Sequence, residues 1–216
     1  MMKLLLKLTK TSLLALLLMF ANHSIAFSET LEKQIIQEFQ GEFNKIEAFA
    51  KSNPQPIKTD ILMEFIDKEL MSRWSAELTI RSILGKELWK SVDADQKQQL
   101  INAYFITMKR YLFESFQQYN GQKPLASKVQ LNKKQNKGWL TVQLVIDNFP
   151  NIYLDLKIYF HKKQWVIYDF RFKGISFIRL KQNEYRNLVE EQGVQQLISL
   201  LEGKYQEFLK QLDVEP

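Results

Sequence analysis

The sequence predicts an α+β fold, on three observations. Apolar residues recur at helical spacing from Leu31 to Tyr119, alternate at strand spacing from Val129 to Phe172, and return to helical spacing after Gly174. Helices grouped before and after a meander of strands predict an antiparallel four-stranded sheet. Several helices should pack on its apolar face, with N- and C-terminal helices flanking it. No repeat, low-complexity tract or long Gly/Pro/Ser linker interrupts residues 27–216, so one domain is expected there.

The first helix carries Leu31, Ile35, Phe39, Phe43, Ile46 and Phe49 on one stripe and should end at Asn53-Pro54-Gln55-Pro56. Thr59 or Asp60 can cap a second helix with Ile61, Phe65, Ile66 and Leu70 inward. Ser75 can cap a third with Leu78, Ile83 and Leu84, stopped by Gly85. Asp93 three residues before Gln96 has the form of a capping box. It opens a long helix with Leu100, Tyr104, Phe105, Met108, Tyr111, Leu112 and Phe116, stopped at Asn120-Gly121.

Strands are expected near 129–134, 138–147, 152–161 and 164–172, the last two joined tightly through Lys162-Lys163. Leu140, Val142, Leu144 and Ile146 share one face of the second strand, and Ile152, Leu154, Leu156, Ile158 and Phe160 one face of the third. In the fourth, Val166, Tyr168, Phe170 and Phe172 are expected together. The opposite face carries Asp155, Lys157, Asp169 and Arg171, for which a cross-strand row of ion pairs is the plain reading. Beyond Gly174, Ile178, Tyr185, Leu188 and Val189 mark one helix. Gly193 breaks it, and Leu197, Ile198, Leu201, Tyr205, Phe208 and Leu212 mark the last.

Residues 1–26 have the order of a secretory signal peptide: Lys3, Lys7 and Lys10, an apolar stretch from Leu13 to Phe20, then small residues at Ser24 and Ala26. The apolar stretch is shorter than the roughly 20 residues that span a bilayer, and cleavage is expected before Phe27. An uncleaved anchor or a buried helix is the competing reading. The chain has no cysteine, so neither a lipid-anchoring cysteine nor a disulfide is available, and the exported domain must be held by its core. The formal charge of +6 falls to +3 once the three signal-peptide lysines are gone, since every Asp and Glu lies beyond residue 26. Lys133, Lys134, Lys137, Lys162, Lys163 and Lys173 are scattered over turns and strand ends, which fits solvated loops rather than a nucleic-acid surface.

Catalytic signatures are sparse. With His23 in the signal peptide, His161 stands alone, and one histidine without cysteine makes few metal sites. The seven glycines form no phosphate-binding loop, and no Gly-x-Ser-x-Gly elbow occurs. Ser176 after Gly174 is read as a turn hydroxyl, since no histidine is placed to activate it.

Two blocks carry a family resemblance: Trp165, Asp169, Gly174, Ser176, Gly193, Leu197, Ile198 and Leu201, and Leu84-Gly85, Trp89, Asp93, Gln96 with the aromatic helix up to Tyr119 and Gly121. The chain resembles the MlaC family, also called the toluene-tolerance auxiliary family of periplasmic phospholipid-binding proteins, auxiliary components of an ABC transporter. Two positions depart from the family pattern: Lys181-Gln182 replaces its Tyr-Arg pair, and Ser75 stands where it has Asp. The resemblance implies a monomeric periplasmic carrier with phospholipid as cargo and no cofactor, metal or catalytic residue. Such a carrier meets an outer-membrane lipoprotein–porin complex and an inner-membrane ABC transporter protein with MCE domains, and so maintains outer-membrane lipid asymmetry.

On that reading an internal apolar pocket should open between the greasy sheet face and the long helix. Its expected lipid-binding lining is Val142, Leu144, Leu154, Leu156, Ile158, Tyr168, Phe105, Met108, Leu112 and Phe116, with the headgroup outside. Two alternatives share the fold. One is a small exported enzyme of the cone-shaped α+β type, acting on a hydrophobic substrate around Asp155, Asp169 and Tyr168; the other is an adaptor with a solid core.

Overall fold

The computed structural model describes residues 31–146 and 149–212. The signal peptide and cleavage site expected within residues 1–27 lie outside the described residues. The chain begins with α1, helical over 31–52. Next comes α2 (Thr59–Phe65), running into a π turn (Ile66–Leu70) and a 3-10 turn (Met71–Arg73). Then follow α3 (Ala76–Leu84), α4 (Lys86–Ser91) and the long α5 (Ala94–Gln117). Strands β1 (Lys123–Leu131), β2 (Lys137–Val145), β3 (Ile152–His161), β4 (Gln164–Phe172) and the short β5 (Ile175–Ser176) form one antiparallel meander in chain order. α6 (Phe177–Gln192) and α7 (Val194–Leu212) complete the fold.

The boundaries follow local chemistry. Asp93 accepts the Gln96 N–H at 2.8 Å and Ser75 Oγ the Leu78 N–H at 3.3 Å, so both starts lie where a side-chain oxygen meets an orphan donor. The cap of α2 falls instead on Lys58, without a side-chain bond, rather than on Thr59 or Asp60. Gly85 and Gly193 stop α3 and α6 with φ of 82° and 85°. At Gly85 the space a Cβ would need is filled by the Arg186 guanidinium, whose Nε donates to the Ile83 carbonyl. Lys162 and Lys163 both have positive φ, as a two-residue hairpin demands.

The sheet has five strands, not four, and β1 starts at Lys123 rather than near Val129. Polar residues and Pro124 hide this stretch from an apolar-alternation reading. Proline is tolerated there because β1 is an edge strand.

A larger correction concerns β4. Lys157 pairs with Asp169 but Ile158 pairs with Ile167, so Tyr168 is an extra residue in a bulge. The bulge switches which side chains point each way. Trp165 and Ile167, not Val166 and Tyr168, share the apolar face with Phe170 and Phe172.

Two hydrophobic clusters result. One joins Ile35, Phe39 and Phe43 of α1 to the sheet through Leu140, Ile158 and Trp165. The other is helical, with Ile80, Leu100, Tyr104, Tyr185 and Leu201 at its centre and Tyr168 against it. Phe113 and Phe208 meet edge-on at 5.3 Å where α5 packs on α7. Tyr104 is fully buried with its hydroxyl unpartnered, and burial raises that group well above its ordinary value.

Candidate functional site

A cavity of about 630 Å³ is lined by residues of both clusters, and Ile46 packs against each of them. Leu154, Leu156, Ile167 and Phe170 supply the sheet wall, and Met108, Leu112 and Phe116 the α5 wall. Phe39, Phe43 and Ile46 of α1 close a third side, with Trp74 and Phe177 at the far end. Phe170 and Phe177 stack with centroids 5.0 Å apart, and Tyr111 meets Phe177 edge-on at 5.6 Å.

A second limb of about 360 Å³ shares Phe43, Leu112, Phe116, Leu154 and Leu156 with the first. It adds Val142, Leu144 and Ile152 and ends at Gln118, Tyr119 and Gln122 on the α5–β1 link. Neither limb alone reaches the top of the roughly 300–1,000 Å³ range typical of ligand sites. Their shared residues make the two limbs adjoining apolar spaces.

Of the ten residues expected in a pocket lining, Met108, Leu112, Phe116, Leu154 and Leu156 stand in the main limb, and Val142 and Leu144 in the second. Three stand elsewhere. Ile158 is fully buried in the sheet cluster further along the same face, Tyr168 faces the helical cluster because of the bulge, and Phe105 lies on the exposed side of α5. The α1 contribution of Phe39, Phe43 and Ile46 was visible only as an amphipathic stripe. Ile167 was hidden by the bulge.

Besides Glu114 on α5, the charged residues of the main limb gather at one edge. Arg73 donates to Glu38 and Glu42, each at 2.6 Å, and Lys45 bridges Glu42 and Glu69, each at 3.1 Å. These pairs fasten α1 to the π and 3-10 turns. Partial burial opposes the charge of Glu42, but the hydrogen bonds from Arg73 and Lys45 prevail and lower its pKa. Arg73 is raised by the converse balance: burial disfavours its charge, and hydrogen bonds to Glu42 and Glu38 outweigh it.

The carboxylates weighed for catalysis are structurally committed. Asp155 accepts from Thr141 Oγ1 at 2.7 Å and from Arg171 Nε at 2.8 Å, as the cross-strand reading expects. Asp169 departs from it. Only 2 % exposed, it accepts from Ser176 Oγ at 2.7 Å and from the Ile178 N–H at 3.1 Å, while Ser176 Oγ accepts from the Arg179 N–H. Asp169 and Ser176 thus form a relay that caps α6, and the ammonium of Lys157 sits over the Trp139 and Tyr168 rings instead. Burial raises the Tyr168 hydroxyl to about 12. None of Asp155, Tyr168 and Asp169 lines either limb. Among the described residues no group of three or more His, Cys, Asp or Glu side chains is placed to hold a metal.

The fold is similar to that of a phospholipid-binding protein from Ralstonia solanacearum solved in complex with a phospholipid. The TM-score is 0.67 and the identity 15%, over 80% of this chain and 97% of that one. No curated protein is similar enough to count as a match. The sequence model of the MlaC protein family matches residues 43–203, well over half of the chain, and the protein therefore belongs to the MlaC family.

Proposed function

We propose that this protein is a periplasmic phospholipid carrier. Residues 1–26 export it and are cleaved before Phe27, and as a monomer it shuttles lipid between an outer-membrane lipoprotein–porin complex and an inner-membrane MCE-domain protein of an ABC transporter. The role is transport that maintains outer-membrane lipid asymmetry, not catalysis. Membership of the MlaC family and the likeness to a protein solved with phospholipid support the ligand class. Among the described residues no helix is long and apolar enough to cross a membrane.

The observation that carries the reading is the pair of adjoining apolar spaces between sheet and α5. Two acyl chains of about 30 methylenes, at ~0.8 kcal/mol each, cost roughly 24 kcal/mol to expose to water. A freely diffusing carrier must therefore enclose them. Val142, Leu144, Leu154, Leu156, Met108, Leu112 and Phe116 are the proposed contacts, with Ile158 packed beside them on the same sheet face.

Solvent extraction of protein purified from the periplasm, followed by mass spectrometry, should yield stoichiometric diacyl phospholipid. The mature N-terminus should read Phe27. Protein recovered bare of lipid, from cells and after incubation with vesicles, would sink the proposal.

A further inference from the structure

A third depression, of about 320 Å³, lies beside the end of the smaller limb; polar and charged side chains project from its wall, whose remaining surface is carbon. Glu47, Lys51 and Gln55 form one side, and Tyr119, Asn120 and Lys123 the other. Tyr119 stands in the walls of both this depression and the apolar limb, so the two spaces adjoin. Gln55 Nε2 donates to the Phe116 carbonyl at 3.0 Å, tying the polar side to a residue that lines both limbs.

The charge balance of the depression is unequal. Lys51 bonds Glu47 at 2.6 Å, while Lys123 acts on the same carboxylate through space. Two ammonium groups facing one carboxylate leave one positive charge in excess, beside an opening whose other rim is apolar. A glycerophospholipid has the complementary layout: an apolar chain, an ester, and then a phosphodiester with one negative charge.

We infer that this depression holds the phosphodiester of the bound lipid, with Lys51 and Lys123 donating to its unesterified oxygens and Tyr119 at the border between ester and phosphate. The inference rests on the carrier reading and deepens it: the cargo is recognised by its phosphate as well as by its chains. Both lysines are exposed, so water screens the interaction and the discrimination is modest, about tenfold.

The test offers exported protein stripped of lipid an equimolar mixture of dioleoylphosphatidylglycerol and dioleoylglycerol, and reads occupancy by native mass spectrometry. Wild type should take the phospholipid about tenfold over the diacylglycerol. In that mixture the variant Lys51→Gln/Lys123→Gln should take both equally, while its uptake of diacylglycerol offered alone and its melting temperature match wild type. Equal uptake by wild type, or a preference that survives in the variant, overturns the phosphate site while leaving the carrier reading standing. Uptake of neither lipid by wild type overturns the carrier reading itself.

Inorganic phosphate separates the two sources of a phosphate group. Its 31P resonance should be unaffected by lipid-loaded protein, because the headgroup fills the site. Broadening by loaded wild type that disappears with the loaded variant would assign the depression to a soluble anion and overturn the headgroup assignment.

Discussion

Replacing Leu112 with Trp separates a lipid tunnel from a merely loose interior. Leu112 stands in the walls of both limbs, so a bulkier side chain there intrudes on either chain path. The indole adds about six non-hydrogen atoms and displaces a similar number of methylenes. At ~0.8 kcal/mol each, with partial relaxation of the chain, the loss is about 4 kcal/mol, roughly a thousandfold in affinity. In a filled core such overpacking costs about 1–3 kcal/mol of stability, but here the added atoms enter existing space and the melting temperature should barely change. Native mass spectrometry of protein purified from cells reads the first effect and calorimetry the second. A Leu112→Trp protein that folds normally and still carries a full complement of lipid would refute the reasoning. On the same helix, Phe105→Ala is the control: its site is outside both limbs and partly exposed, so occupancy should hold within a factor of two.

Arg73→Ala removes the Glu38 and Glu42 pairs, and for groups this accessible the cost should be about 1 kcal/mol by urea titration, with faster lipid exchange into vesicles. The same link predicts an acid response. Because the folded pKa of Glu42 is lowered, its contribution is complete above the unfolded carboxylate value of about 4.5 and is lost as pH falls through the folded value; a wild-type loss of stability in that acid range should shrink in Arg73→Ala. Asp169→Ala leaves the Ile178 N–H and Ser176 hydroxyl unpaired and should cost about 2–4 kcal/mol, while Asp169→Asn, which keeps an acceptor, costs less; lipid occupancy below the melting temperature should persist in both. Tyr104→Phe removes a buried hydroxyl without a partner and should raise stability by about 1 kcal/mol, so a marked loss in calorimetry would reveal an unsuspected partner.

What the sequence revealed and concealed follows from the range of each interaction. Asp93, Ser75, Gly85 and Gly193 act on neighbours within a turn, and the helix boundaries they imply agree with the structure. Alternation in Leu140 to Leu144 and Leu154 to Ile158 placed β2 and β3, because both strands are central and half buried. The extra residue at Tyr168 left no local trace; it is set by pairing with β3, and it puts Trp165 and Ile167, on the hairpin side of it, on the face expected for Val166 and Tyr168. Asp169 was equally opaque: cross-strand spacing put it beside Lys157, but the partners that hold it arrive with α6, seven and nine residues later. The division of apolar residues into two clusters is likewise a property of packing, since Phe39 and Leu100 look alike in a periodicity pattern and end in different cores.

The separateness of those cores has a mechanical consequence. A close-packed domain forfeits dispersion contacts in whatever direction it is pulled apart. Here one direction differs, because across the void between α5 and the sheet the opposed surfaces have few partner atoms to lose. Strain applied at the surface should concentrate along that parting line, with the Arg73 ion pairs as its brace and each half retaining its own cohesion. Such a body can yield along one plane while remaining folded on either side of it.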